Sequence, residues 1–363
     1  KSERGGYPVI RKNMKQLCID QAAFAERLLE GLNEIDWPES TKEMQRHWIG
    51  RSTGVEVQFE IVGGGKFSIF TTCIETIYGI TFMVRAPDGD LVQELMPRIK
   101  NQDEVKAYIK ETVSKSEMDR TELNKGKSGC RLEGIKAINP VNGKEVEVFI
   151  GDFVLANYGT GAVMAVPSHD QRDFEYAIAH NIDMIQVIEG QDVSERAFEK
   201  QDYLGKGCKL INSEEFTGLT VEEAKVAITK KLVDMGIAKE TVNYRFREWI
   251  FARQRYWGEP VPIVHLEDGT DYVLPDEELP LILPELEDYK GHNGKAPLEN
   301  ATQWKQYNQN GVKGIRETST MPGSAGSSWY YLRYIDPKNK EQLADPELLK
   351  HWMPVDLYVG GPE

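Results

Sequence analysis

Hydrophobic and polar residues alternate most regularly between positions 55 and 61. Val55, Val57, Phe59 and Ile61 are separated by polar residues. This period of two is typical of a strand with one buried face. The glycines of 63–65 follow, and a second apolar alternation comes after them. The pattern predicts a β-hairpin.

Apolar residues recur at helical spacing in several other segments. Helices are predicted for residues 14–35, 102–116, 169–180 and 220–236. Pro38 is expected to end the first of them, and Ser168 is the predicted N-cap of the third. Thr220 and Glu223 have the spacing of a capping box at the start of the fourth.

The remaining segments predict strands and loops. Residues 130–166 are rich in strand-forming residues with glycines between them, and the polar residues 117–129 predict a loop. Near the end, the segment 355–361 predicts a buried strand that leads into a glycine turn. Because a domain rarely ends on such a turn, we expect the chain to be a fragment.

Composition restricts the class of protein. The chain has 363 residues, 40% of them hydrophobic and 28% charged, as expected for a soluble protein of two or three domains. It has no apolar run of membrane-spanning length and no secretory signal. The four cysteines form no Cys-x-x-Cys pair, which argues against a zinc or disulfide framework and favours a cytoplasmic protein.

The net charge of −14 argues weakly against a nucleic-acid partner. It does not exclude one, because local basic patches attract phosphates. The segment RFREWIFARQR, residues 245–255, is such a patch.

Candidate chemistry lies in the segment YGTGAVMAVPSHDQRDFEYA, residues 158–177. His169, Asp170 and Asp173 follow a glycine-rich turn and an apolar strand. Asp170 and Asp173 are three residues apart, so one helical face can hold both. The residues alone leave two readings open: a solvated helix start whose acidic groups suit the helix dipole, or a site for a cationic substrate group.

Several stretches together resemble bacterial-type leucyl-tRNA synthetases, in that family's order and spacing. The stretches are MQRHWIGRSTGVEVQFEI, YGTGAVMAVPSHDQRDFEYA, REWIFARQRYWGEPVPIVH, TSTMPGSAGSSWYYLRYIDP and DLYVGGPE. Taken singly, only the second and third are specific. The set covers nearly the whole chain.

The resemblance implies an α/β protein in which a β-barrel-like editing domain with surrounding helices is inserted into a class I Rossmann-type catalytic core. Residues 1–47 would be core sequence before the insertion, and residues 48–250 would be the editing domain with its hinge strands. Residues 251–363 would be the core resuming, incomplete here.

The resemblance also implies the activity. The family's two ATP-handling motifs, His-x-Gly-His and Lys-Met-Ser-Lys-Ser, do not occur in this sequence. We therefore expect no leucine activation, but hydrolysis of tRNA(Leu) mischarged with amino acids such as norvaline or isoleucine. Editing would need no cofactor or metal, whereas ATP and Mg²⁺ would serve the full-length synthetase. The expected partners are the tRNA(Leu) 3′ end and, in the full-length enzyme, leucine and ATP. We expect a monomer that does not bind membranes.

Residue roles follow from the resemblance. Asp173 would bind the α-ammonium group of the substrate, and Asp170 and His169 would support or line the site. Thr71 and Thr72 would contact the terminal ribose or the attacking water.

The second wall of the site would select the substrate. Thr76 would block the branched side chain of leucine while admitting a straight one, and Met164, Val166 and Tyr158 would line the same pocket. From the residues alone, the threonines are equally well explained as strand formers, and Met164 and Val166 as ordinary core.

One departure from the family bears on tRNA binding. Where the commonest pattern has Arg-Pro-Asp, this chain has Cys73, Ile74 and Glu75, so the expected contact of the arginine with the tRNA end is lost.

In the synthetic half, Ser327 and Tyr330 would line the leucine pocket, or else belong to a packed aromatic cluster.

Three alternatives stay open. Valyl- and isoleucyl-tRNA synthetases share the insertion. The chain could also be an RNA-holding module whose hydrolytic site has decayed. An unrelated acidic α/β hydrolase is disfavoured, because the sequence has no G-x-S-x-G nucleophile elbow.

Overall fold

The computed structural model describes residues 5–7, 15–115, 120, 128–156, 159–292 and 294–360. These residues form two compact units. The first contains Phe24–Phe246, and the second contains the described residues of Met14–Ala23 and Arg247–Glu363. Both units mix strands with helices, which agrees with the α/β class.

A seven-stranded mixed sheet is the centre of the first unit. Its strands are β2 (Ser52–Ile61), β3 (Lys66–Thr71), β4 (Phe82–Arg85), β5 (Gly129–Ile138), β6 (Glu145–Gly151), β7 (Ala162–Ala165) and β8 (Ala238–Asn243). The order is β3-β2-β5-β6-β4-β7, and β8 also pairs with β2. Among the described strands, β4 and β6 are the one pair that runs parallel. Strands β3 and β7, at the two ends of this order, lie beside each other. Closure into a barrel stays a prediction.

The predicted hairpin is confirmed, and its buried face is the one that the alternation indicated. Strands β2 and β3 pair antiparallel from Val55 opposite Thr71 to Glu60 opposite Lys66. Val57 and Phe59 are completely buried. They belong to a hydrophobic cluster that continues under β7 and the helices.

In the described residues of the first unit, the α-helices are α1 (Ala25–Gly31), α2 (Glu39–Ile49), α3 (Asp90–Leu95), α4 (Gln102–Val113), α5 (Gln171–His180), α6 (Lys200–Tyr203) and α7 (Val221–Asp234). The predicted capping box at α7 is confirmed: Thr220 and Glu223 bond each other's backbone N–H groups. The prediction of a helix over 102–116 is also confirmed in α4. The predicted loop 117–129 lies largely outside the described residues.

The prediction of one helix over residues 14–35 is confirmed only for Ala25–Gly31. Cys18–Ile19 forms a short strand, β1, that pairs antiparallel with β9 (Trp249–Ile250). A partner more than two hundred residues away therefore overrides the local helical spacing. Pro38 ends no helix; it stands immediately before α2, where its fixed φ suits a helix start.

The predicted N-cap of α5 is also wrong. Asp170, not Ser168, caps the helix: its carboxylate accepts hydrogen bonds from the N–H groups of Arg172 and Asp173. Ser168 is fully buried, and its hydroxyl forms no hydrogen bond to the helix start or to any other described residue. A carboxylate is a strong acceptor for these orphan donors.

The second unit contains a four-stranded antiparallel sheet in the order β11-β10-β13-β12. Its strands are β10 (Ile263–Leu266), β11 (Asp271–Val273), β12 (Gln306–Gln309) and β13 (Val312–Arg316), and its helices are α8 (Ser324–Ser327), α9 (Tyr330–Ile335) and α10 (Pro346–Trp352). A Rossmann-type core stays a prediction.

The buried strand predicted near the end of the chain is wrong. Leu357 and Val359 are more than three-quarters exposed, and no strand pairs with this segment in the described part of the chain. Apolar composition alone cannot form a strand without a hydrogen-bonded neighbour. Within the described ranges, no helix combines the length and the apolar character needed to cross a membrane.

The buried face of β2 should dominate the stability of the first unit. Phe59 is completely buried and stacks on Phe67 with ring centroids 5.8 Å apart. Replacing Phe59 with alanine should lower the free energy of unfolding by about 3–5 kcal/mol, because it removes apolar contacts and leaves a cavity. Urea denaturation followed by circular dichroism measures this loss. Val226→Ala, at an exposed position of α7, is the control and should change stability by at most about 0.5 kcal/mol. Equal losses in the two variants would contradict the assigned core.

Candidate functional site

The predicted threonines lie on a turn that holds its own shape. Strand β3 ends at Thr71, and a buried 3-10 helix follows over Ile74–Gly79. The N–H of Cys73 donates to the hydroxyl of Thr71 over 3.0 Å. The hydroxyl of Thr76 donates to the carbonyl of Cys73 over 2.9 Å. The Thr76 hydroxyl thus stabilises the turn, and its rotamer is fixed.

Side chains from two helices form hydrogen bonds with this threonine turn, residues 71–76. Lys225 on α7 donates its ammonium to the Thr72 carbonyl over 3.0 Å. The hydroxyl of Tyr203, at the end of α6, donates to Glu75 over 3.3 Å. Burial raises the pKa of Glu75, which is only 1% exposed. No sequence motif pointed to Lys225 or Tyr203, because their contacts join residues far apart in the chain.

Asp173 is buried at the start of α5 and is attached to the end of β7. Its Oδ2 accepts a hydrogen bond from the Val166 N–H over 3.0 Å. Val166 and Met164 pack in the same hydrophobic cluster as Ile74 of the threonine turn, whereas Tyr176 and Ala177 of α5 belong to a second cluster. The structure therefore brings the turn and the predicted lining residues of β7 onto one core, and the bond from Val166 attaches Asp173 to it.

Asp170 orients Asp173 rather than sharing a helical face with it. Asp170 lies before the helix, and its Oδ1 accepts from the N–H of Asp173 over 3.1 Å. Its other oxygen lies 3.5 Å from the guanidinium of Arg172. The expected i, i+3 face does not form, because Asp170 is the cap and has extended backbone angles.

His169 is a buried structural group. Its Nδ1 bonds the Phe198 carbonyl and its Nε2 bonds the Val187 N–H, each over 3.0 Å. A carbonyl can only accept and an N–H can only donate, so these partners require the neutral tautomer with the proton on Nδ1. Burial lowers the pKa of His169 to about 4. The imidazole joins the start of α5 to the segment 187–198.

Other predicted site residues lie elsewhere. Tyr158 is outside the described residues. In the second unit, Ser327 and Tyr330 are exposed on α8 and α9, and the Tyr330 hydroxyl bonds that of Tyr358.

A cavity of about 540 Å³ lies in this unit. Its lining residues are Ile19, Trp249, Phe251, Glu259, Met321, Ala325, Gly326, Ser328 and Trp329.

The first unit has a cavity of about 440 Å³ beside β5 and the end of α5, away from the predicted residues. Its lining includes Thr81, Cys130, Phe149 and His180. Among the described residues, no group of three or more His, Cys, Asp or Glu side chains is arranged to hold a metal ion.

Comparison with known proteins identifies the class. Residues 46–233, just over half of the chain, match the family model described as leucyl-tRNA synthetase, editing domain. The chain belongs to this family, as its motifs predicted.

One solved structure of a leucyl-tRNA synthetase is similar to this chain. The ternary complex of Agrobacterium radiobacter K84 agnB2 LeuRS with tRNA and LeuAMS is similar to this chain, with a TM-score of 0.73 and 29% identity. The similarity covers 95% of this chain and 39% of that one.

The neutral state of His169 should make stability depend on pH. The folded pKa of about 4 lies below the ordinary value of 6.5. Its contribution is therefore complete above pH 6.5 and is lost as the pH falls towards 4. Between pH 7 and pH 5 the free energy of unfolding should decrease by about 2 kcal/mol from this group. Denaturation of the wild type and His169→Gln at both pH values measures the difference.

The tautomer can be observed directly. In ¹⁵N-histidine-labelled protein, His169 should show a protonated Nδ1 and no titration above pH 5. A midpoint near pH 6.5 would contradict the buried geometry.

Proposed function

We propose that this chain hydrolyses the ester of a wrong amino acid on tRNA(Leu), of the norvaline or isoleucine type. A binding site that discriminates between apolar side chains differing by one methylene gains only about 1–3 kcal/mol. A second, hydrolytic site can supply the additional selectivity. The family match supports this reaction for the first unit of the chain.

One observation carries the proposal: a carboxylate is fixed at the junction of β7 and α5 by a hydrogen bond from Val166, which packs in the same hydrophobic cluster as Ile74 of the threonine turn. Asp173 is 8% exposed, and its position is set by Val166 on one side and by Asp170 on the other. A fixed carboxylate suits the α-ammonium group of an aminoacyl ester. Deacylated tRNA, which ends in a free hydroxyl, has no such group.

The other residues would position the substrate and water. The half-buried Thr71 and Thr72 would bind the terminal ribose or the attacking water. Thr76 would exclude the branched side chain of leucine, because a β-branched residue held by its hydroxyl forms a stiff wall. Met164 and Val166 would contact the substrate side chain, and Tyr158 would line the same pocket. Asp170 would hold Asp173 in place, and His169 would fix the helix that carries both.

Further proposals concern the whole synthetase. The chain spans 39% of the solved relative's length. We propose that a full-length enzyme activates leucine with ATP and Mg²⁺ in a Rossmann-type core to which residues 1–47 and 251–363 contribute, with Ser327 and Tyr330 at its leucine pocket. We also propose a barrel-like editing domain over 48–250, no cofactor for editing, a cytoplasmic monomer, and the tRNA 3′ end as the partner of the editing site.

A second candidate is an RNA-holding module without hydrolytic activity. It is supported by Cys73, which stands where the commonest pattern of the family has arginine. Such a module would bind the tRNA 3′ end but would leave its ester intact, so a deacylation assay separates the two functions.

The charge of Asp173 should be essential for hydrolysis. Asp173→Asn keeps an oxygen for the Val166 N–H but removes the negative charge. We expect kcat/KM for norvalyl-tRNA to fall by about tenfold to a hundredfold, since hydrogen bonds to charged groups contribute about 1.5–3 kcal/mol. Release of radiolabelled norvaline measures the rate. Glu175→Gln, on the exposed side of the same helix, is the control. An unchanged rate in Asp173→Asn would show that the ammonium is bound elsewhere.

The size of Thr76 should decide which ester is cleaved. Thr76→Ala should allow hydrolysis of leucyl-tRNA, with its rate rising by roughly 10-fold to 200-fold, because the blocking methyl group is lost. Thr76→Val removes the hydroxyl bond to Cys73 but keeps the volume, so it should still spare the leucyl ester. If Thr76→Ala continues to reject leucyl-tRNA, another residue sets the selectivity.

A further inference from the structure

Lys225, on α7, brings a positive charge to the threonine turn, which is distant from it in the sequence. Its ammonium donates to the Thr72 carbonyl over 3.0 Å. An ammonium has three N–H donors. Within the described part of the chain, Thr72 is its hydrogen-bond partner and no carboxylate forms an ion pair with it. Lys225 is half-buried, so the remaining donors keep access to solvent.

Among the described residues, the neighbouring carboxylate of Glu75 forms no ion pair with this cation. Glu75 is buried, its Oε1 accepts from Tyr203, and its Oε2 has no hydrogen-bond partner. The positive charges of Lys225 and Lys200 lower the pKa of Glu75, but burial raises it by more. Lys225 therefore brings a positive charge to the turn, while the acidic side chain of Glu75 is shielded from solvent.

We propose that Lys225 binds a backbone phosphate of the RNA strand that carries the aminoacyl ester. This inference rests on the proposed function, because it takes the threonine turn as the binding place of the terminal ribose. The Thr72 carbonyl holds the ammonium beside the residue whose hydroxyl would contact that ribose. Lysine binds phosphate as a point charge and needs no planar geometry. In a chain of net charge −14, RNA can only be attracted by local cations of this kind.

Phosphate binding has a signature in the salt dependence of RNA affinity. A fluorescein-labelled RNA with the sequence of the tRNA(Leu) 3′ end serves as the probe, and its anisotropy is measured over a series of salt concentrations. In Lys225→Met, affinity at low salt should fall several-fold. The slope of log K against log salt should become smaller by about 0.7, the value for one phosphate on a single strand. Lys225→Arg should retain the slope.

A matched control lies on the same helix. Lys230 is exposed and pairs with Asp234, so Lys230→Met should leave the slope unchanged. An equal change in both variants would overturn the proposal, because it would show a general electrostatic effect. An unchanged slope in Lys225→Met would overturn it as well.

Two esters separate phosphate binding from a purely structural role. Norvalyl-tRNA carries backbone phosphates and norvalyl-adenosine carries none. In Lys225→Met, KM should rise by a larger factor for norvalyl-tRNA than for norvalyl-adenosine, because both esters lose the turn contact at Thr72 but only the tRNA ester also loses a phosphate contact. Equal changes in KM on the two esters would overturn the proposal, since Lys225 would then only position Thr72. If the wild-type chain cleaves neither ester while the slope still changes, the proposed hydrolysis fails and the phosphate contact of Lys225 stands.

Discussion

The hydrogen bond between Asp173 and the backbone of Val166 is the contact on which the site depends. It attaches the first turn of α5 to the end of β7, so the carboxylate keeps its place relative to the sheet. Burying a carboxylate is costly unless its oxygens are bonded. Here the backbone supplies a donor, and the N-terminus of the helix favours negative charge. A mobile surface aspartate would have neither feature.

Two polar residues beside Asp173 hold the local backbone in place. Asp170 uses its carboxylate to cap α5, and His169 uses both ring nitrogens on backbone groups. In the threonine turn, Thr71 and Thr72 are half-buried. Side chains that are already ordered in the folded protein lose little conformational entropy when a ligand binds.

The sequence predicted the features that are local in the chain. The β2–β3 hairpin and the capping box of α7 depend on neighbours a few residues away, and both are confirmed. Features set by distant partners were missed or wrong. The β1–β9 pair replaced part of a helix, and Lys225 reaches Thr72 across the fold. The motif around Asp173 indicated the site segment, but only coordinates separate the cap Asp170 from the buried Asp173.

An acidic chain that binds RNA must concentrate its positive charge, because its long-range field repels phosphates. Cys73 removes one cation that the family pattern would place on the threonine turn. The ammonium of Lys225 restores positive charge there from α7 and also bonds the backbone of Thr72. The hydrogen bond from Lys225 to the Thr72 carbonyl thus holds the turn and also places a positive charge beside it. On the proposal that Lys225 binds a phosphate, a change in α7 would affect RNA binding although no residue of the motif itself had changed.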